Sequence, residues 1–172
     1  WVIFYDPKTF FTGNPALQPE ITDAVNASYT YKNKMVSLSY SYTNHPITNL
    51  YKIDEATNRM IMAYKNSINN QFAYLSLSLP FNVKKWWTMQ NTLNGYWSKS
   101  NTSYKEEVQR EYTGYYFYST QSFVLPKNYF IELSGYYNSG GGWDLNKWKP
   151  TGSLDFGIQK KFAKKKSDLR LN

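Results

Sequence analysis

The side chains that could do chemistry in this chain are few and scattered. His45 is the sole histidine among the 172 residues and the chain has no cysteine. A transition-metal site needs several nitrogen or sulfur donors together, so His45, in front of Pro46, is no centre by itself. Glu106, Glu107 and Glu111 cluster beside Lys105 and Arg110. Paired carboxylates can shuttle protons or hold Ca²⁺, yet mixed charge on a polar stretch is ordinarily solvated. Asp54-Glu55-Ala56-Thr57-Asn58 is turn chemistry and lacks the glycine and the distal glutamate of a Ca²⁺ loop. Gly140-Gly141-Gly142 has no strand before it and helix after it, as a dinucleotide site would need, and reads as a mobile loop. With no nucleophile elbow and no phosphate loop, neither an enzyme nor a cofactor is expected. What remains is aromatic: Tyr104, Tyr112, Trp143 and Trp148 could stack on a sugar or a hydrophobic chelate. Loop aromatics can equally anchor their own loops.

The elements that would position these side chains are strands. Val36-Ser37-Leu38-Ser39-Tyr40-Ser41-Tyr42-Thr43 alternates strictly, with apolar residues on one face and only Ser and Thr on the other. Val25, Ala27, Tyr29 and Tyr31 alternate in the same way with Asn26, Ser28 and Thr30. Only Lys32-Asn33-Lys34 separates the two, which predicts a hairpin. Ala73, Leu75, Leu77 and Leu79 repeat the pattern, with a turn expected from Pro80 to Lys85. The returning strand has Trp87, Met89, Leu93, Gly95 and Trp97 on one side. A third hairpin runs 112–125, turns at Pro126-Lys127-Asn128 and returns over 129–138. A fourth carries Leu154, Phe156 and Ile158, a turn over 163–167, and Leu169 and Leu171. In Tyr115-Tyr116-Phe117-Tyr118 both faces are aromatic and the phase stays open.

Short turns alternate with long polar stretches at 44–70, 98–111 and 139–150. The first of these reads as holding a small hairpin of its own, 50–53 against 60–64. Strands of roughly 10 residues with short turns at one end and long loops at the other are the outer-membrane signature. The fold class expected is therefore all-β: an antiparallel transmembrane β-barrel meander, with about eight strands of a larger barrel. Soluble sandwich strands are shorter and hide their apolar face. Here the apolar face would meet outer-membrane lipid, and the Ser/Thr/Asn/Gln face a wet lumen.

Composition agrees. Aromatic residues make up 19% of the chain, with Tyr 17, Phe 10 and Trp 6, types that favour places where one end of a side chain is apolar and the other wet. Tyr31, Phe81, Trp86, Trp87, Phe123, Tyr129 and Phe162 fall near the short turns; Tyr40, Tyr42, Trp97 and Tyr137 fall near the long stretches. Together they suggest the two aromatic girdles of a barrel. The net charge of +8 is densest at Lys160, Lys161, Lys164, Lys165, Lys166 and Arg170, around one turn. A solvated turn accounts for that block, and no nucleic-acid partner is expected. Trp1 at one end, and Leu169-Arg170-Leu171-Asn172 as a strand just opening at the other, read as cuts through a larger protein.

One string is more specific. Gly13-Asn14-Pro15-Ala16-Leu17-Gln18-Pro19-Glu20 resembles the Gly-Asn-Pro-x-Leu-x-Pro-Glu element of TonB-dependent receptors, which lies just before a strand in the C-terminal part of their barrels. Gly13, Asn14, Pro15, Leu17, Pro19 and Glu20 fill every fixed position. Gly13 and Asn14 suit unusual dihedrals, and the prolines an extended approach to a strand at Ile21. The stretches 123–127, 133–137 and 154–162 are similar in style to the same outer-membrane barrel proteins. The resemblance implies residues 1–172 as part of one barrel domain, with 1–20 an extracellular loop and with plug and final strand absent. It implies, as partners, the remainder of the barrel, the plug, and periplasmic TonB through absent segments. Its function would be uptake of a scarce nutrient: a siderophore, a glycan, a peptide or a vitamin. The rivals are a plugless structural or passive pore barrel, and a soluble aromatic-rich carbohydrate-binding β module.

Overall fold

The computed structural model describes residues 2–103, 107–143, 146–162 and 167–171. Its strands in chain order are β1 (Val2–Asp6), β2 (Thr9–Thr12), β3 (Ile21–Tyr31), β4 (Lys34–Asn44), β5 (Ile47–Asp54), β6 (Arg59–Asn66) and β7 (Asn69–Lys84). They continue as β8 (Trp87–Ser103), β9 (Glu107–Leu125), β10 (Tyr129–Asn138), β11 (Gly141–Trp143), β12 (Asn146–Trp148), β13 (Thr151–Phe162) and β14 (Ser167–Leu171). Eight of them form one antiparallel sheet in the order β14-β13-β10-β9-β8-β7-β4-β3. This is the expected meander, interrupted where β5 and β6 leave the sheet and again where β11 and β12 do. Among the described residues β3 and β14 are its two edges, and they are not paired with each other.

The turns follow from local chemistry. Lys32 takes a left-handed conformation between β3 and β4, and Lys127 and Asn128 do so in the one-turn 3₁₀ segment after Pro126. In the β5–β6 turn Asp54 accepts bonds from the Ala56 amide (3.2 Å) and the Thr57 hydroxyl (2.7 Å), and Asn58 supplies the positive φ. The turn expected over 80–85 is shorter, because β7 runs on to Lys84 with a bulge after Asn82. Past Ser78 that strand has β8 alone as a neighbour. An edge of this kind tolerates Pro80, which has no N–H to give a ladder.

Register resolves the face of every strand. Leu38, Leu75 and Gly95 stand opposite one another across β4, β7 and β8, and Leu93 meets Phe117, which meets Tyr137. Tyr115 and Phe117 therefore join the apolar face, and Tyr116 and Tyr118 the Ser/Thr/Asn face. Among the described residues no large hydrophobic side chain is buried; the buried polar ones are Thr9, Ser67, Ser98, Ser100 and Thr102. Leu154 is 75% exposed and Val25 72%. A sheet with its polar residues inside and its apolar residues outside is stable only with hydrocarbon on the apolar side.

Across β8 and β9 the apolar face carries a cluster of polar side chains, Asn91, Ser119 and Gln121. The Trp87 indole donates to Gln121 Oε1 (2.9 Å), Gln121 Nε2 to Ser119 Oγ (2.8 Å), Ser119 Oγ to Asn91 Oδ1 (2.7 Å), and Asn91 Nδ2 to the Leu79 carbonyl (3.4 Å). Each donor in this relay has an acceptor, the condition for polar side chains to sit against lipid.

At the opposite end from the short turns the strands do not stop where loops were expected. Residues 98–103 and 107–111 continue β8 and β9, paired from Ser98↔Tyr112 to Ser103↔Glu107. At roughly 3.4 Å per residue these strands are far longer than the 9–11 residues that cross a bilayer. The alternation vanishes there because both faces are wet. Segment 139–150 folds as the hairpin β11–β12, and 1–20 contributes β1 and β2. β2 pairs parallel with β6, joining β1, β2, β6 and β5 into a second, four-stranded sheet.

Candidate functional site

The polar face ends, on the long-loop side, in a cup of about 240 Å³. One wall is the continued polar rows of β4, β7 and β8: Ser41, Thr43, Asn70, Ser100 and Thr102. Another is the start of β5 and the end of β6, with Pro46, Ile47, Thr48 and Ser67. Phe72 and Trp143 supply two aromatic surfaces, and among the described residues Glu20 is the one ionisable residue of the lining. Short hydroxyl and amide side chains reach across the strands. Thr48 and Ser67 hydroxyls lie 3.0 Å apart, Ser67 donates to Thr102 (3.4 Å), and Ser100 donates to Asn70 Oδ1 (3.1 Å). Such groups both give and accept hydrogen bonds. The cup can therefore meet a ligand made of hydroxyls, while its two rings can cover an apolar ring face.

Trp143 is positioned by the β11–β12 hairpin, which lies over the polar face. Its ring meets Phe72 edge to face at 5.2 Å. The Gly142 amide donates to Tyr96 Oη (3.1 Å), and Trp148 lies 6.3 Å from the Tyr96 ring. Lys147 stands 5.7 Å over Tyr112. The hairpin needs glycine where it touches the sheet: a Cβ on Gly142 would come within 2.7 Å of the Asn146 carbonyl and of the Tyr112 ring.

Of the four aromatic candidates the structure brings Tyr112, Trp143 and Trp148 together, and Tyr104 lies outside the described residues. Only Trp143 faces the cup; Tyr112 and Trp148 anchor the hairpin. Phe72, Tyr96, Thr48, Ser67, Ser100 and Thr102 were not singled out by sequence. The signal for Phe72, Ser100 and Thr102 was present, since they occupy the positions that carry the polar face past its expected end.

The Gly13–Glu20 string is a strap between the two sheets. Asn14 donates to the Tyr64 carbonyl (2.9 Å) and accepts from the Ala16 amide (3.0 Å). Asn66 grips Gln18 at both its amide (2.7 Å) and its carbonyl (2.9 Å), and also reaches the His45 carbonyl (2.7 Å). Glu20 accepts from the Ile47 amide (2.8 Å), so one carboxylate joins the strap, β5 and the cup. Neither Gly13 nor Asn14 has a positive φ; Asn14 acts through its side chain instead. His45 is a left-handed corner residue whose amide bonds to the Ile68 carbonyl (3.2 Å). Glu111 accepts from the Trp97 indole (2.8 Å), while Lys105 and Glu106 lie outside the described residues. No group of three or more potential metal ligands occurs among the described residues.

No curated protein and no solved structure matches the chain. One family model does match, that of the outer membrane protein beta-barrel family, over residues 1–172. A membrane-facing apolar sheet, aromatic residues at its rims and a polar inner face are what a transmembrane β-barrel wall needs. The chain belongs to the outer membrane protein beta-barrel family and resides in the outer membrane.

Proposed function

We propose that this chain is barrel wall of a TonB-dependent receptor that takes up a scarce nutrient. The observation that carries the reading is the Gly13–Glu20 element, complete at every fixed position and sited immediately before β3. The edges β3 and β14 then pair with the remainder of the barrel, since unpaired backbone groups are untenable in hydrocarbon. The plug fills the lumen and periplasmic TonB pulls it. Ligand is caught at the long-loop end and passes inward; His45 and the glutamates have no catalytic part. Among siderophore, glycan, peptide and vitamin the cup favours a glycan. Among the described residues its lining is neutral apart from Glu20 and contains no Lys or Arg to hold an anionic chelate.

The test is growth on a limiting glycan panel in cells with and without the gene, each with TonB intact or inactivated. Uptake lost equally on removing either one supports the receptor. Gene-dependent uptake that persists without TonB overturns it in favour of the passive pore. In planar bilayers a plugged receptor holds conductance near zero, whereas a plugless barrel conducts.

A further inference from the structure

The two ends of the wall carry charge differently. By position in the sequence, the basic and acidic residues of the long-loop end are equal in number and Glu132 and Asp155 lie within the wall, so the positive excess of the chain arises at the short turns. Each of the short turns described has lysine in it or beside it: Lys32 and Lys34 at β3–β4, Lys84 and Lys85 at β7–β8, Lys127 at β9–β10. Lys160 and Lys161 end β13, where Asp168 stands opposite Lys161 in register, and Glu132 lies level with Ser122, a little further into the wall.

Turn lysines are ordinary, but Lys34 and Lys160 are not in turns. Both occupy strand positions on the apolar, lipid-facing side and both are half-buried. The Lys34 ammonium lies 4.4 Å over the Phe81 ring and that of Lys160 lies 3.8 Å over Tyr129, where it also bonds the Lys127 carbonyl. Lys32 stands 5.4 Å over Tyr31. A lysine laid along a girdle ring keeps its stem in hydrocarbon and holds its ammonium at headgroup depth. The turns that present these groups recur every two strands, roughly 10 Å apart.

We infer that the short-turn rim is a binding collar for anionic phospholipid headgroups of the leaflet it faces. Lys34 and Lys160 meet the lipid phosphate from the wall, and Lys32, Lys85 and Lys127 from above. Basic clusters at a membrane surface attract anionic lipid over zwitterionic lipid. The loop end has no such excess, so the preference is confined to one rim.

The experiment uses the full protein in vesicles of phosphatidylcholine containing phosphatidylglycerol, with one or the other lipid brominated on its acyl chains. Trp86 and Trp87, at this rim, report lipid contact by quenching. The expected association ratio of phosphatidylglycerol over phosphatidylcholine is severalfold. It falls to about one in Lys34→Gln/Lys160→Gln and is retained in Lys8→Gln/Lys149→Gln, which removes the same charge at the loop end. If the rim variant fails to fold, salt serves instead, because 1 M salt screens to about 3 Å and should bring the wild-type ratio toward one. An equal ratio in the wild type, or one lost only in the loop-end variant, overturns the inference. So does erasure of the preference by soluble inorganic phosphate.

Discussion

The wall of the sheet and the structure above it are held together by opposite means. In the wall, β4, β7, β8 and β9 stand side by side with Leu38, Leu75, Leu93 and Phe117 toward lipid and Ser37, Ser76 and Asn94 toward the lumen. Nothing apolar is buried there among the described residues; the solvent itself sorts the faces. Above the wall, the cup and the second sheet depend on specific contacts: Asn66 gripping Gln18, Phe4 edge to face with Phe10 at 5.1 Å, Tyr96 under Gly142. The first region tolerates any small polar residue inside and rejects charge outside. The second tolerates many surface changes and rejects the loss of a particular partner.

The largest expected effect tests the wall. Leu77→Arg, midway between the aromatic positions of the lipid face, should cost about 3 kcal/mol, whereas Ser76→Arg beside it should cost little. Denaturant titration of the protein folded into vesicles measures both, and equal penalties would reverse the assignment of faces. Next comes the relay on the lipid face. Ser119→Ala strands Gln121 Nε2 and Asn91 Oδ1 and should cost about 2 kcal/mol. Ser76→Ala on the lumen face should stay within roughly 0.5 kcal/mol.

The upper region answers differently. Gly142→Ala forces a Cβ against the Asn146 carbonyl and should loosen the hairpin by about 1–2 kcal/mol. The signature is faster proteolysis around 139–150 with the midpoint of global unfolding unchanged; a shifted midpoint would mean that hairpin and wall are one cooperative unit. The smallest effect is one of pH. The Lys8 amide (2.7 Å) first, and the Thr9 side chain next, hold the Asp6 carboxyl below its usual value of 3.8. A depressed folded pKa gives a contribution present above that value and lost as pH falls through the folded one. Hydrogen exchange at Lys8 should therefore rise below about pH 4 relative to its intrinsic rate, while amides of β7 and β8 stay protected.

Legibility in the sequence follows the same division. Strand order, turns and faces of the wall could be read because water and lipid on opposite sides impose a period of two. Tyr115 to Tyr118 resisted, since tyrosine suits both the lipid face and the wet one, and only pairing with Leu93 and Tyr137 separates them. Above the bilayer the period has no cause. Residues 98–103 and 107–111 therefore looked like loop while forming the ends of the longest strands. The cup was still less visible, since its walls come from β4, β5, β7, β8 and β11 and no local signal states which of them meet. Asn14 and Glu20 were noticed as members of a string, and their bonds to Tyr64 and Ile47 gave the string its physical sense.

The parallel pairing of β2 with β6 also bears on the order of events during folding. Every neighbouring pair in the wall except β4 with β7 and β10 with β13 is a hairpin whose ends are brought together by a short connection, so its nucleation is local and fast. The clasp between Thr9–Thr12 and Met60–Ala63 must instead close across some 50 positions, the separation of Asn14 and Tyr64. Closing entropy of that size is spent before any bond is returned, and long-range contacts of this kind form slowly. The wall should therefore be complete while the segment ahead of β3 is still searching, and that segment should be the first to come undone. A latch that fastens last and opens first can release the Gly13–Glu20 strap, and with it one side of the cup, without disturbing a strand in the membrane.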